Sequence, residues 1–202
     1  MRGLALTTML DRLARGWPTA SAVALAASLA ACSGGSAPTT FDLTAPRDIG
    51  RVGSSRATLV VGVPTAVQAL DSDRVIVKNS AGALSFLGDA QWADQVPRLV
   101  QARLIQTFEN ASRIGAVARP GDRITPDLQL LTDIRAFNID AASGAAVVEI
   151  TAKIVGDRTG QVQRARVFSA REPASTVEGA AAAQALDRAL SRVLIDIVRW
   201  AR

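Results

Sequence analysis

Apolar residues recur along this chain with two different periods, and the alternation between the periods sets out the fold. From Ala145 to Val155, the residues Ala146, Val148, Ile150, Ala152 and Ile154 alternate with Glu149, Thr151 and Lys153. A period of two puts the first set on one face of a strand and the second on the other. Asp127 to Ile139 carries Leu128, Leu130, Ile134 and Ala136 on one face, and Gln161 to Ser169 is a third strand of the same kind. Ala141-Ala142-Ser143-Gly144 and Gly156-Asp157-Arg158-Thr159-Gly160 separate them, so the three read as a meander. One polar face per strand fits antiparallel pairing with one side wet. Shorter strands are predicted at Phe41-Asp42-Leu43, Ala57 to Val63 (ended by Pro64), Arg74 to Lys78, Ala83 to Leu87 and Ile114 to Ala118. Asn79-Ser80-Ala81-Gly82 has the chemistry of a hairpin turn.

Two segments switch to the helical period. Val96, Leu99, Val100, Leu104 and Phe108 predict a helix from about Ala93 to Ala111, starting near Asp94 because Pro97 is tolerated only in a first turn. Leu186, Ala189, Leu190, Val193, Leu194, Ile197 and Val198 form the apolar stripe of a second. Ser175 and Glu178 have capping-box spacing at its start. Arg192 and Asp196 are placed to pair at i,i+4, and Arg199 and Arg202 suit the negative end of the helix dipole. The order strands, helix, strands, helix predicts an α+β fold, a two-layer sandwich of a mainly antiparallel sheet with two long helices packed on it. No internal repeat is visible.

The N-terminus follows another logic. Arg2, Arg12 and Arg15 precede an uncharged apolar run from Thr19 to Ala31. That run has the length of a signal-peptide core and is short of the roughly 20 residues a bilayer span needs. It ends in Leu29-Ala30-Ala31-Cys32, a lipobox: a branched apolar residue, two small residues that fit a peptidase groove, and a cysteine whose thiol takes a diacylglyceryl group. Residues 1–31 are read as a lipoprotein signal peptide, 32–40 as the lipidated cysteine and a flexible Ser/Gly/Pro tether, and 41–202 as a single domain. Cys32 is the one cysteine in the sequence, so the chain as exported forms no internal disulfide and offers no thiol chemistry or Cys-ligated metal site.

Composition narrows the remaining chemistry. The sequence holds 23 basic and 18 acidic residues. Removing the three Arg and one Asp of the leader leaves 20 against 17. The high pI therefore reflects Arg in place of Lys (only Lys78 and Lys153 are lysines) more than excess charge, and a nucleic-acid partner is not expected. A weak preference for anionic lipid headgroups fits. With no His and no Tyr, there is no His-based triad and no imidazole metal site. No nucleophile elbow, Walker loop or dinucleotide fingerprint occurs. No catalytic, cofactor or metal residue is assigned. Asp127, Asp133, Asp140, Glu149 and Asp157 are the carboxylates a pairwise acid–base role would need, and each falls on a wet strand face or in a turn. Asp71 and Asp73 suit a turn better than a calcium site, which wants 6–8 oxygens. Trp92, ahead of the first helix, and Trp200, near the C-terminus, are the candidates for a lipid or partner contact. The core is the alternative for both, and for Trp200 the pattern does not separate the two. Arg164 and Arg166 share a strand face with Val162 and Phe168, a mixed face that is either solvated or a contact surface at a sheet edge.

Taken in order, these features resemble the ABC-type transport auxiliary lipoproteins, which accompany MCE (mammalian cell entry) lipid-transport systems and include the paraquat-inducible-type lipoproteins. The resemblance rests on a lipobox followed by an aromatic-x-Leu strand (Phe41-Asp42-Leu43, with Phe for the usual Tyr), Trp92 leading into Pro97-Arg98-Leu99-Val100-Gln101-Ala102-Arg103-Leu104, Asp127-Leu128-Gln129-Leu130 leading to Phe137, and a last helix ending near Trp200. It implies a non-enzymatic periplasmic component of a machine moving phospholipid or another hydrophobic substrate. Its partners would be an MCE-domain protein and an ABC permease with its ATPase. Ser33 after the lipidated cysteine points to the outer membrane, its periplasmic face. Exposed sheet edges suit a homo-oligomer, and a ring-shaped conduit would suit a ring. The rival expectations are a structural or assembly lipoprotein of the envelope unrelated to lipid traffic, and an envelope hydrolase using a Ser or Asp pair. Cys32→Ala should block lipidation and abolish function without unfolding the domain. Membrane fractionation with circular dichroism checks this, and a membrane-bound, active variant would refute the leader assignment.

Overall fold

The structure is a computed structural model that describes residues 37–50, 55–111 and 114–201. The expected leader and lipobox, with Leu29, Ala30, Ala31 and Cys32, lie outside the described residues, as does Arg202. Among the described residues, nine strands and two helices follow in the order β1 (Thr39–Phe41), β2 (Ser55–Val61), β3 (Thr65–Ala66), β4 (Arg74–Lys78), β5 (Leu84–Trp92), α1 (Val96–Asn110), β6 (Ile114–Ala118), β7 (Leu128–Asp140), β8 (Ala145–Gly156), β9 (Val162–Pro173) and α2 (Gly179–Trp200).

The meander is present: β7 pairs antiparallel with β8 along its length, and β8 with β9. The other edge of β7 takes three short strands end to end, all parallel to it. Leu59–Val61 of β2 lie beside Leu128–Leu130, Thr65–Ala66 of β3 beside Asp133–Ile134, and Val77–Lys78 of β4 beside Ile139–Asp140. β6 extends the sheet beyond β2 in parallel, and β5 beyond β4 in antiparallel; β1 closes that arm parallel to β5. The α+β expectation holds, with a mixed sheet. The long ladders are antiparallel, and the parallel joins involve short strands. Periodicity reports which face a residue takes and carries nothing about the direction of its neighbour.

Both helices lie on one face. α2 covers β8 and β9, α1 covers β2 and β6, and the helices touch each other. The α2 stripe predicted from the sequence is fully buried, against Ala146, Val148, Ile150, Ala152 and Ile154 of β8. α1 starts at Val96 with Pro97 in its first turn, close to the expected start.

Three local expectations are corrected. The Leu128, Leu130, Ile134, Ala136 face breaks at a register shift between Ile134 and Ala136, where Ala136 pairs with Glu149 and Arg135 is the extra residue. Such a bulge reverses the alternation. Phe137 and Ile139, rather than Ala136, continue the buried face. The Ser175–Glu178 capping box does not form. The chain bends from Ser175 to Glu178, and Gly179 at φ +45° opens the helix, so Glu178 is itself the N-cap and makes no side-chain cap bond. Arg192 pairs with Glu172 of β9, Nε to Oε1 at 2.6 Å, instead of with Asp196. A largely buried carboxylate in reach outcompetes a solvated helix neighbour.

Substituting opposite faces of the sandwich should give opposite results. Leu190→Ala, in the α2 stripe, should lower unfolding free energy by about 2–5 kcal/mol. Leu131→Ala, on the helix-free face, should change it by no more than about 0.5 kcal/mol. Urea denaturation followed by far-UV circular dichroism reads both.

Candidate functional site

With both helices on one side, no other element among the described residues covers the opposite face of β7, β8 and β9. That face divides into two halves. At the β2–β3 end, Val63, Thr65, Leu131, Thr132, Asp133, Thr151 and Lys153 line a shallow, mainly apolar depression of about 240 Å³. Val63, Leu131 and Val167 are exposed large apolar residues. Toward the β7–β8 turn, a polar depression of about 470 Å³ holds Lys78, Arg135, Asn138, Asp140, Glu149 and Arg171 among its lining. Two of its three cations are paired within it: Arg135 with Glu149 at 3.0 Å, and Arg171 at 3.6 Å from Asp140. The Ala142 N–H donates to Asp140 at 3.0 Å and holds its carboxyl below the usual carboxylate range, with smaller contributions from Ser143 and Arg171.

The other carboxylates singled out from the sequence bind neighbouring strands. Asp127 accepts the Thr58 N–H at 2.8 Å, tying β2 to the start of β7. Asp133 accepts the Thr65 hydroxyl at 2.9 Å and fixes β3. Asp157 accepts from Gln129. Asp71 and Asp73 line a small polar hollow with Ser72, Asp94 and Gln95. Among the described residues, no three His, Cys, Asp or Glu side chains are grouped to hold a metal ion.

The two candidate tryptophans, Trp92 and Trp200, separate. Trp92 is the last residue of β5 and only 2% exposed, its ring edge-on to Phe137 with centroids 5.7 Å apart. Of the two readings open for Trp92, a lipid or partner contact and the core, the burial gives the core. β5 runs on to Trp92 and turns its side chain under the helices. Trp200 is half-buried, edge-on to Phe168 at 5.4 Å. Arg164 stacks 5.5 Å over its ring and donates to its carbonyl at 3.0 Å. Arg164 thereby supplies a cation where the α2 dipole is negative, and Arg166 lies over Phe168. This side of β9 fastens the helix to the strand, while its outer backbone edge pairs with no other strand among the described residues.

A set of contacts that periodicity does not reveal fixes the chain just after the expected tether. Asp42 pairs with Arg103 of α1 at 2.6 Å. The Thr44 N–H and hydroxyl both donate to Asp187 of α2 at 2.7 Å. Arg199 donates to the Ile49 carbonyl at 3.1 Å. β1 and the loop after it are thus riveted to both helices, over sequence separations of 61, 143 and 150 residues. A hydrophobic pattern registers none of these polar contacts.

A mixed sheet with two helices on one face and its N-terminal strand pinned to the helices defines an α+β sandwich. The profile of the ABC-type transport auxiliary lipoprotein component family matches residues 41–198, and the chain belongs to that family. It is 39% identical over 202 residues to an uncharacterized protein of Bradyrhizobium diazoefficiens, covering 96% of this chain and 53% of that one. The chain thus spans about half the length of that relative. A crystal structure from Xanthomonas campestris, of family DUF330, is similar with TM-score 0.70 and 30% identity, covering 82% of this chain and 92% of that one. A second crystal structure, of an uncharacterized protein, shares the fold alone: TM-score 0.66, 14% identity, 83% of this chain and all of that one.

Trp92→Ala should behave as a core lesion, lowering unfolding free energy by about 3–5 kcal/mol. Thermal denaturation checks it; a variant as stable as the parent would return Trp92 to the surface.

Proposed function

We propose that this protein is a lipid-anchored, non-catalytic accessory component of an MCE-type ABC transport system for phospholipid or another hydrophobic substrate. Lipid on Cys32 holds it at the periplasmic face of the outer membrane, where it docks the conduit formed by the MCE protein. The ABC permease and ATPase supply the energy at the inner membrane. The observation that carries this reading is the family match from residue 41 to 198, beginning just past the tether that follows the lipobox.

The physical features support it. One acyl chain binds a membrane only marginally, whereas the two or more of a lipoprotein hold firmly, at ~0.8 kcal/mol per buried CH₂. The contacts Asp42–Arg103 and Thr44–Asp187 carry any pull on the anchor into both helices. No helix among the described residues is long and apolar enough to cross a membrane. An open sheet face with an apolar and a charged half, and the unpaired edge of β9, offer contact surface without displacing a core element.

Affinity purification of the tagged lipoprotein in mild detergent, with mass spectrometry of what accompanies it, should recover an MCE-domain protein or its ABC permease. Recovery of only peptidoglycan-linked or other envelope proteins would refute the transport role and put the structural-lipoprotein reading in its place.

A further inference from the structure

Sheet register fixes the direction from which the chain reaches the domain. β1 is parallel to β5, with Thr39 opposite Ala90 and Phe41 opposite Trp92. The chain therefore enters β1 from the side on which β5 begins, and β5 begins at the β4–β5 hairpin, whose turn is closed by Asn79 and Ala83. The polar contacts of Asp42 and Thr44 hold β1 in that orientation. Leu84 lies six residues ahead of Ala90, at most about 20 Å along a strand. Seven residue steps separate Thr39 from Cys32 and reach at most about 25 Å. The hairpin tip is thus on the side from which the chain arrives and at the distance an anchored Cys32 can reach.

The hairpin is built unlike a solvated turn. Leu84 and Phe86 are 47% and 48% exposed, and as alternate residues of β5 they share one side. Lys78, one of only two lysines in the sequence, is directly across from Leu84. The guanidinium of Arg74 lies 5.2 Å from the centroid of the Phe86 ring. From Arg74 to Gly88 there are two cations and no carboxylate. Asp140, the β7 residue in register with Lys78, is engaged by Ala142 and Arg171. Exposed apolar side chains flanked by cations on a protruding turn match a bilayer surface. The apolar groups meet the acyl boundary, and the cations, on long flexible stems, reach the phosphates.

We propose that the β4–β5 hairpin rests on the anionic membrane surface that holds the Cys32 lipid, with Leu84 and Phe86 at the headgroup–acyl boundary and Lys78 and Arg74 on lipid phosphates. The inference rests on the proposed lipidation of Cys32. The acyl chains give the firm attachment and the hairpin sets the orientation. The loop from Arg119 to Asp127 and the β8–β9 turn, at the opposite end of β7 and β8, then face away from the membrane.

The test uses the full-length lipidated protein in phosphatidylethanolamine–phosphatidylglycerol vesicles, with mass spectrometry reporting lipid on Cys32. The one native cysteine is consumed as a thioether, so Leu84→Cys or Ala81→Cys carries an environment-sensitive fluorophore uniquely; Thr159→Cys, in the β8–β9 turn, is the control. The hairpin labels should be blue-shifted and quenched by doxyl-labelled lipid, and the Thr159→Cys label should show neither effect. Lipidated, vesicle-bound protein whose hairpin labels are as unquenched as the control overturns the hairpin contact and leaves the anchor standing. Hairpin labels shielded from aqueous iodide yet unquenched by lipid assign the hairpin to a protein contact and also overturn it. Protein without lipid on Cys32 that stays in solution overturns the anchoring and the hairpin contact together.

Discussion

β7 must satisfy four neighbours at once. Every buried N–H and C=O needs a partner, and a strand of 13 residues in the middle of a sheet has two full edges to satisfy. β8 meets one edge along its length. The other is met in series by β2, β3 and β4, none of which pairs with β7 over more than three residues. The junctions between them are closed locally: Gly62 N–H donates to the Leu130 carbonyl at 3.0 Å, and the Thr65 hydroxyl bonds Asp133. Without these joins a short strand such as β3 would have no reason to form.

The bulge at Arg135 lets the same strand serve both ends. With strict alternation, Phe137 and Ile139 would face away from the helices. The extra residue returns them to the core beneath Trp92 and leaves Arg135 to pair with Glu149 on the open face. The switch also explains the division of that open face. Its β2–β3 half lies before the bulge and is lined by Leu131, Asp133 and Lys153; its charged half lies after it, around Asp140 and Arg171.

The attachment of the N-terminal segment gives the fold its bearing on function. A tether that joined a frayed end would let the domain tumble over the membrane. In the proposed arrangement it joins a strand pinned by carboxylate contacts to α1 and α2, and α2 is in turn bound to β9 through Arg192–Glu172 and through Arg164 on Trp200. Exposed ion pairs add little stability individually, but they fix geometry, and a fixed β1 sets the side of the domain from which the chain enters it.

By itself the sequence determined most of the elements, though neither the two-residue β3 nor the extension of β5 to Trp92. Period-two and helical-period apolar runs located β4, β6, β7, β8 and α2 to within a residue or a few, because burial of one face selects side chains that any reader of the pattern can see. The resemblance in motif order reached the family, and the absence of His excluded imidazole chemistry. Only the tertiary structure decided what depends on partners distant in the chain: parallel or antiparallel neighbours for the short strands, the bulge that exchanged Ala136 for Phe137, the burial of Trp92, and the choice of Glu172 over Asp196 by Arg192. Those outcomes are competitions between groups up to 69 residues apart in the chain, settled by which of them the packed core brings together.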